Sequence, residues 1–159
     1  MAEVFRAAKS KGITTSLDTN DDPEDQWGDD LAEVLRFVDI LFVNQREAEK
    51  IARTNDLDAA LAKLSQISAL VVVKLGPHGA IAREGPNEWR CPAIAVSVVD
   101  TVGAGDSFDA GYIHRFLQGA SREDCLRYGS IAGGLSTTKG GGTEAFRDST
   151  ALTRFFREL

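Results

Sequence analysis

Cysteine, histidine, proline and tryptophan are all scarce in this chain: two, two, four and two residues respectively among 159. Each scarcity excludes something. Cys91 and Cys125 stand far apart, in no metal-ligand spacing with each other or with His78 and His114, so a structural zinc site is excluded and free thiols in a reducing cytosol are expected. No apolar run approaches the roughly 20 residues of a membrane span, and Met1 to Phe5 has neither the basic nor the apolar region of a signal peptide. The expectation is a cytoplasmic chain with no membrane partner. Basic clusters are missing too: 18 Lys and Arg against 24 Asp and Glu leave a net charge of −6, which argues against nucleic acid or anionic lipid and for small-molecule partners. Repeats, linkers and low-complexity stretches are absent. The 43% hydrophobic and 26% charged content is that of an ordinary globular domain, long enough to bury a core.

What is present is an alternation of helical and strand patterns. Ala2 to Lys11 reads as a short helix stopped by Gly12, and Ile13 to Leu17 as a β-branched strand ending in the polar turn from Asp18 to Pro23. Leu31, Val34, Leu35 and Val38 form an i, i+3, i+4, i+7 stripe ahead of a strand from Ile40 to Val43. Short helices are expected over Glu47 to Ala52 and around Leu57, Leu61 and Leu64. Leu70 to Val73 is a continuous apolar run of the kind buried on both faces of a parallel sheet. Gly76-Pro77-His78-Gly79 turns the chain into Ala80 to Ala82, and beyond Gly85-Pro86-Asn87 the segment Glu88 to Arg90 completes a hairpin at a sheet margin. Val96 to Val99 reads as a further strand and Phe108 through Leu117 as a helix. Ser121 with Asp124 starts another helix through Thr138, and Leu152, Phe155, Phe156 and Leu159 mark a closing one. The pattern predicts a doubly wound, mostly parallel α/β sheet with helices on both faces and ligands at the carboxyl ends of its strands. Asp18, Asn20, Asn44, Glu47, Lys74, Gly76 and the stretch from Asp100 to Asp106 all follow strand patterns directly, so one crest could gather them.

The most informative stretch is Asp100-Thr101-Val102-Gly103-Ala104-Gly105-Asp106-Ser107-Phe108. Gly103, Ala104 and Gly105 sit where a helix begins, with unpaired backbone N–H groups and the positive end of the dipole, and no bulky side chain bars a phosphate from the main chain. Asp106 falls in the first turn, where a carboxylate is favoured by the dipole whether or not it does chemistry. Two readings stay open on the residues alone: a phosphate cradle with a base at its end, or a packed crossover turn. Likewise Asn44 and Glu47 fit a helix cap as well as a cation site, Gly76 and Gly79 an ordinary turn as well as a nucleotide rim, and Gly140 to Gly142 a flexible connection.

The Asp100–Phe108 stretch, followed by Ala110-Gly111, closely resembles the C-terminal signature of the ribokinase-like, or PfkB, carbohydrate and nucleoside kinases. Asn44-Gln45-Arg46-Glu47 is similar to that family's Asn-x-x-Glu motif, Lys74 to Gly79 to its nucleotide-binding strand and turn, and Ser16 to Asn20 to a strand end facing the active-site centre. The resemblance implies a three-layer α/β/α ribokinase-like fold and ATP-dependent phosphorylation of a hydroxyl on a sugar or related carbohydrate. It implies Asp106 as catalytic base, Gly103, Ala104 and Gly105 as the anion hole, and Asn44, Lys74, Gly76, Gly79, Lys139 and Gly140 as nucleotide-binding. It further implies Glu47 holding Mg²⁺ through water, and Asp100 with the Val102 carbonyl at a monovalent-cation (K⁺) position. Two departures stand out: the family often has a hydroxyl residue where Lys74 stands, and the arginine many sugar-kinase members carry after the Asp-x-Asn element is missing from Asp18 to Trp27.

No residue matches the family's N-terminal glycine-rich sugar-binding motif or its β lid. Residues 1–159 are therefore read as a single partial domain, the nucleotide-binding C-terminal half, truncated at the N-terminal side. Exposed apolar surface is expected, as is a homo-oligomer or complementing chain covering the open sheet edge. The rival reading is a non-catalytic nucleotide-binding or assembly module derived from such a kinase.

Overall fold

Five strands form one sheet in the order β1-β2-β3-β4-β5: β1 Ser16–Asp18, β2 Ile40–Asn44, β3 Leu70–Lys74, β4 Ala80–Glu84 and β5 Asn87–Cys91. β1, β2 and β3 run parallel, with Leu17 opposite Leu41 and Asn44 opposite Lys74, while β4 pairs antiparallel with β3. The sheet of this α/β fold is thus mixed. The computed structural model describes residues 1–19, 27–150 and 152–153. The turn beyond Thr19 and the closing helix around Phe155, Phe156 and Leu159 lie outside them. Among the described residues no helix is long and apolar enough to cross a membrane. The chain divides into two compact units, one of Met1–Gly76 with Ala80–Trp89, the other of Pro77–Gly79 with the residues from Arg90 onward.

In the first unit, α1 (Ala2–Ser10) ends where Gly12 takes φ +70°, as the glycine stop predicts. α2 (Asp29–Leu35), α3 (Gln45–Ile51) and α4 (Leu57–Leu64) follow the expected stripes. Their apolar faces meet one face of the sheet: Val34, Leu35 and Val38, Ala48, and Ala60, Leu61 and Leu64 bury against Leu41, Val43, Val71, Val73 and Ile81. Each fully buried aliphatic side chain contributes about 1.5–3 kcal/mol. Ile40, Phe42, Leu70 and Val72, which alternate with these along β2 and β3, are buried as well, which is why both strands read as unbroken apolar runs.

β1 is shorter than its sequence pattern suggested, because Ile13 is exposed and Thr15 is held by another group. The Asp39 carboxylate accepts the Thr15 backbone N–H at 2.9 Å, the Thr15 hydroxyl at 3.0 Å and the Lys9 ammonium at 3.0 Å. Burial pushes this carboxyl up, but those three donors outweigh it and hold the group below its ordinary value. Its stabilisation is therefore complete above the unfolded value near 3.8 and fades as pH falls through the lower folded value. Asp39→Asn is expected to lower stability by about 1–2 kcal/mol at neutral pH. Urea unfolding checks it: the gap between the parent and Asp39→Asn should narrow below about pH 4.

In the second unit, residues 92–98 form no strand, contrary to the reading of Val96 to Val99. The physical reason is local: the N–H groups of Val99 and Asp100 bond the Thr137 carbonyl at 2.8 and 3.2 Å, beside a helix end, so the segment is tied to a helix cap instead of a ladder. Val98, Val99 and Val102 are left 61–68% exposed. α5 (Ala104–Leu117) starts four residues earlier than its apolar pattern, and α6 (Arg122–Ser136) is capped by Ser121, whose hydroxyl accepts the Asp124 N–H at 3.2 Å.

α5 and α6 pack through glycine. A Cβ on Gly111 would lie 2.6 Å from the Tyr128 carbonyl, one on Gly129 would meet the Phe108 ring at 3.0 Å, and one on Gly133 would sit 3.0 Å from the Ala104 carbonyl. The first turn of α5 is therefore seated directly on α6. At the other end the Arg115 guanidinium stacks on Tyr128 at 4.5 Å and pairs with Asp124 at 3.3 Å.

Candidate functional site

Three adjacent parallel strands of the first unit end in polar residues. Asp18 closes β1, Asn44 closes β2 and Lys74 closes β3. Asn44 caps α3: its Oδ1 accepts the Glu47 N–H at 2.9 Å, and the Glu47 carboxylate returns to the Asn44 backbone N–H at 2.9 Å and to its Nδ2 at 2.6 Å. The Thr19 hydroxyl donates to Glu47 Oε2 at 3.1 Å. Glu47 is only 5% exposed, and burial pushes its carboxyl up. The Asn44 N–H, the Thr19 hydroxyl and the positive charge of Lys74 act the other way, while the charge of Asp18 adds to the rise. Lys74 itself pairs with Asp18 Oδ2 at 2.9 Å.

The helix-cap reading of Asn44 and Glu47 is what the geometry shows, and the formed capping box leaves a buried carboxylate beside a strand end. Both Glu47 oxygens already accept hydrogen bonds, a donor set that suits a cation reached through water better than one bound directly. Among the described residues no cluster of three or more His, Cys, Asp or Glu could hold a metal by itself.

The second unit carries the mouth of α5. Gly103 stands at the N-cap with φ +73°, ψ 4°, a left-handed conformation that favours glycine, and a Cβ there would be 3.1 Å from Gly142 Cα. The Ala104 N–H is engaged by the Thr101 carbonyl at 3.2 Å. Among the described residues no protein group accepts from the N–H of Gly103, Gly105 or Asp106. Of the three residues expected at the anion hole, Gly103 and Gly105 keep their N–H groups without a protein acceptor among the described residues and Ala104 does not; the N–H of Asp106, which the sequence reading did not single out, is without one as well. The Asp106 side chain, in the first turn, is exposed and has no bonded protein partner among the described residues.

Asp100 shapes the entry to this turn. Its Oδ1 accepts the Val102 N–H at 3.0 Å and its Oδ2 the Gly141 N–H at 2.9 Å, and these donors, Gly141 foremost, hold its carboxyl below the ordinary range. The loop of Lys139, Gly140 and Gly141 is exposed, and Gly142 is buried with φ +69°. A Cβ on Gly142 would lie 3.0 Å from the Val102 carbonyl, so the Gly-rich loop is pinned rather than a slack connection. Gly141 and Gly142 earn a structural role that only backbone geometry reveals.

The two glycines of the Gly76–Gly79 turn part company. Gly76 has φ +57° with nothing within 4 Å of a would-be Cβ, whereas Gly79 has φ +92° and its Cβ would lie 2.0 Å from the Cys91 carbonyl. Gly79 is demanded by packing and Gly76 by conformation alone. Thr19 is the other omission of the sequence reading. Its one signal was a hydroxyl residue beside Asp18 at a strand end.

Known proteins resemble this chain in sequence and fold. The pfkB family carbohydrate kinase profile covers residues 1–149. The chain is 32% identical over 151 residues to the ATP-dependent ribose-1-phosphate kinase of Halopiger xanaduensis, covering 91% of this chain and 47% of that protein. Adenosine kinase from Sinorhizobium meliloti superposes with a TM-score of 0.85 at 30% identity, over 99% of this chain and 48% of its own. Arabidopsis thaliana ribokinase, solved with ribose and ATP, gives a TM-score of 0.83 at 28% identity over 98% of this chain and 51% of its own. The chain spans about half the length of the relatives it matches. With its capped Asn44-x-x-Glu47 helix, its glycine turn and its Asp106-bearing helix mouth, this chain belongs to the pfkB family of carbohydrate kinases.

Proposed function

We propose that this chain is the nucleotide-side half of a kinase that transfers the γ-phosphoryl group of ATP to a hydroxyl of a small carbohydrate or nucleoside. The single observation that carries the reading is the mouth of α5, where the N–H groups of Gly103, Gly105 and Asp106 lack protein acceptors among the described residues and the Asp106 carboxylate is exposed in the same turn. Phosphoryl transfer needs little beyond positioning and neutralisation of charge on the equatorial oxygens, which fixed main-chain donors at a helix mouth supply. In this reading Asp106 accepts the proton of the substrate hydroxyl as that oxygen attacks phosphorus and the bond to ADP breaks.

Mg²⁺, when bound with the nucleotide, would supply neutralisation of phosphate charge. Glu47, already bonded on both oxygens, would order the waters of that ion, and Asn44 would hold Glu47 in place. Lys74, paired with Asp18, would lend positive charge on the nucleotide side, with Gly76 and Gly79 forming the rim. Asp100, which already accepts the Gly141 N–H, would with the carbonyl of Val102 serve K⁺ in members that use it, and Lys139 and Gly140 would meet the nucleotide. The acceptor pocket and any lid would come from sequence that has no counterpart in this chain.

The test is ADP release across a panel of sugars and nucleosides, run on this chain and on its product in the source cell, with Asp106→Asn as control. Turnover that the substitution removes supports the reading. Acceptor-independent turnover, or turnover indifferent to Asp106→Asn, rejects it.

A further inference from the structure

We propose that Thr19 is a positioning residue for the cation chemistry of this kinase, acting through its hydroxyl on Glu47. Thr19 follows β1 directly and is 8% exposed, and its Oγ1 donates to Glu47 Oε2 at 3.1 Å across 28 residues of sequence. The same oxygen accepts the Asn44 N–H at 2.9 Å, while Oε1 takes the Asn44 amide at 2.6 Å. Asn44 alone fixes Glu47 from within its own helix start. Thr19, directly after β1, adds the hydrogen bond that among the described residues comes from outside that helix start, and so fixes the tilt of the carboxylate relative to the strand ends.

That contact has a directional consequence. A carboxylate held by two donors on Oε2 keeps only part of its lone-pair capacity for a water, and the direction of that remaining capacity depends on where the second donor sits. Partners that orient a metal-serving carboxylate change metal affinity by about 10–100-fold when removed. The hydroxyl, not the bulk of the side chain, is the active element, because valine has the same shape without the donor. The role assigned to Thr19 rests on the proposed role of Glu47 toward Mg²⁺.

The experiment titrates MgCl₂ into this chain with ATP, reading ATP binding by calorimetry and, separately, ADP release, for the parent, Thr19→Val and Thr19→Ser. Thr19→Val is expected to raise the Mg²⁺ concentration for half-maximal ATP binding about 10-fold, and Thr19→Ser to stay within about twofold of the parent. In the ADP-release arm the same shift should appear with kcat at saturating Mg²⁺ changed less than about twofold. Thr19→Val indistinguishable from the parent, Thr19→Ser as impaired as Thr19→Val, or parent ATP binding indifferent to Mg²⁺ would each overturn the proposal. So would a fall in melting temperature shared by both variants without any change in Mg²⁺ requirement. ADP release from the parent that is independent of acceptor would reject the kinase reading, while the calorimetric arm would still decide the role of Thr19.

Discussion

Asp106→Asn is expected to cut acceptor-dependent ADP release by about 10²–10⁴-fold, the usual contribution of a positioned general base. ATP affinity should change by less than about threefold, because the phosphate contacts assigned to this turn are main-chain N–H groups that the substitution leaves in place. Asparagine keeps the size and first-turn position of the side chain and removes only its ability to take a proton. The carboxylate is exposed and has no partner among the described residues, so no buried network collapses and the fold should be unaffected. Steady-state kinetics with calorimetric ATP binding checks both halves. Equal losses in binding and turnover would mean that Asp106 acts on the nucleotide and not on the acceptor.

The largest expected effect on stability belongs to Gly79→Ala. A Cβ there would stand 2.0 Å from the Cys91 carbonyl and 2.8 Å from Ala93 N, and φ is +92°. Neither neighbour is a flexible side-chain end, so the backbone itself must shift. Left-handed geometry costs an L-residue about 1–2 kcal/mol, and the enforced shift adds overpacking strain of about 1–3 kcal/mol, for a total of about 2–5 kcal/mol. Gly76→Ala, three residues earlier in the same turn, is the control: its φ is +57° but nothing lies within 4 Å of the new Cβ. It should cost about 1 kcal/mol. Urea unfolding followed by circular dichroism separates the two. Equal losses would show that conformation alone, and not the approach of Cys91, makes glycine necessary at position 79.

Much of the architecture was legible in local patterns. Leu31, Val34 and Leu35 lie on α2 as their spacing put them, whereas Val38 falls beyond its end at Leu35 and is buried there; the strand after it and the apolar run from Leu70 to Val73 appear where the pattern put them. Asn44 with Glu47 and Ser121 with Asp124 form the caps their spacing suggested. Val96 to Val99 misled because β-branched composition reports compatibility with a sheet and not the presence of a neighbouring strand. In the fold that segment bonds Thr137 instead. The parallel reading of Leu70 to Val73 was half right for a related reason: burial on both faces shapes the sequence, whereas the direction of β4 is set by a short turn.

What the amino-acid order determined alone is what short-range chemistry determines: a glycine turn opening a helix, a carboxylate in its first turn, and a capping pair on another helix. Those need only neighbours a few residues away. Tertiary structure decided the partners: Lys74 with Asp18 across 56 residues, Asp100 with Gly141 across 41, and Thr19 with Glu47 across 28. It also decided which glycines are required by close approach and which by backbone angle. Such pairings depend on strand register and on how closely two backbones pack, and neither has a local signature in the chain.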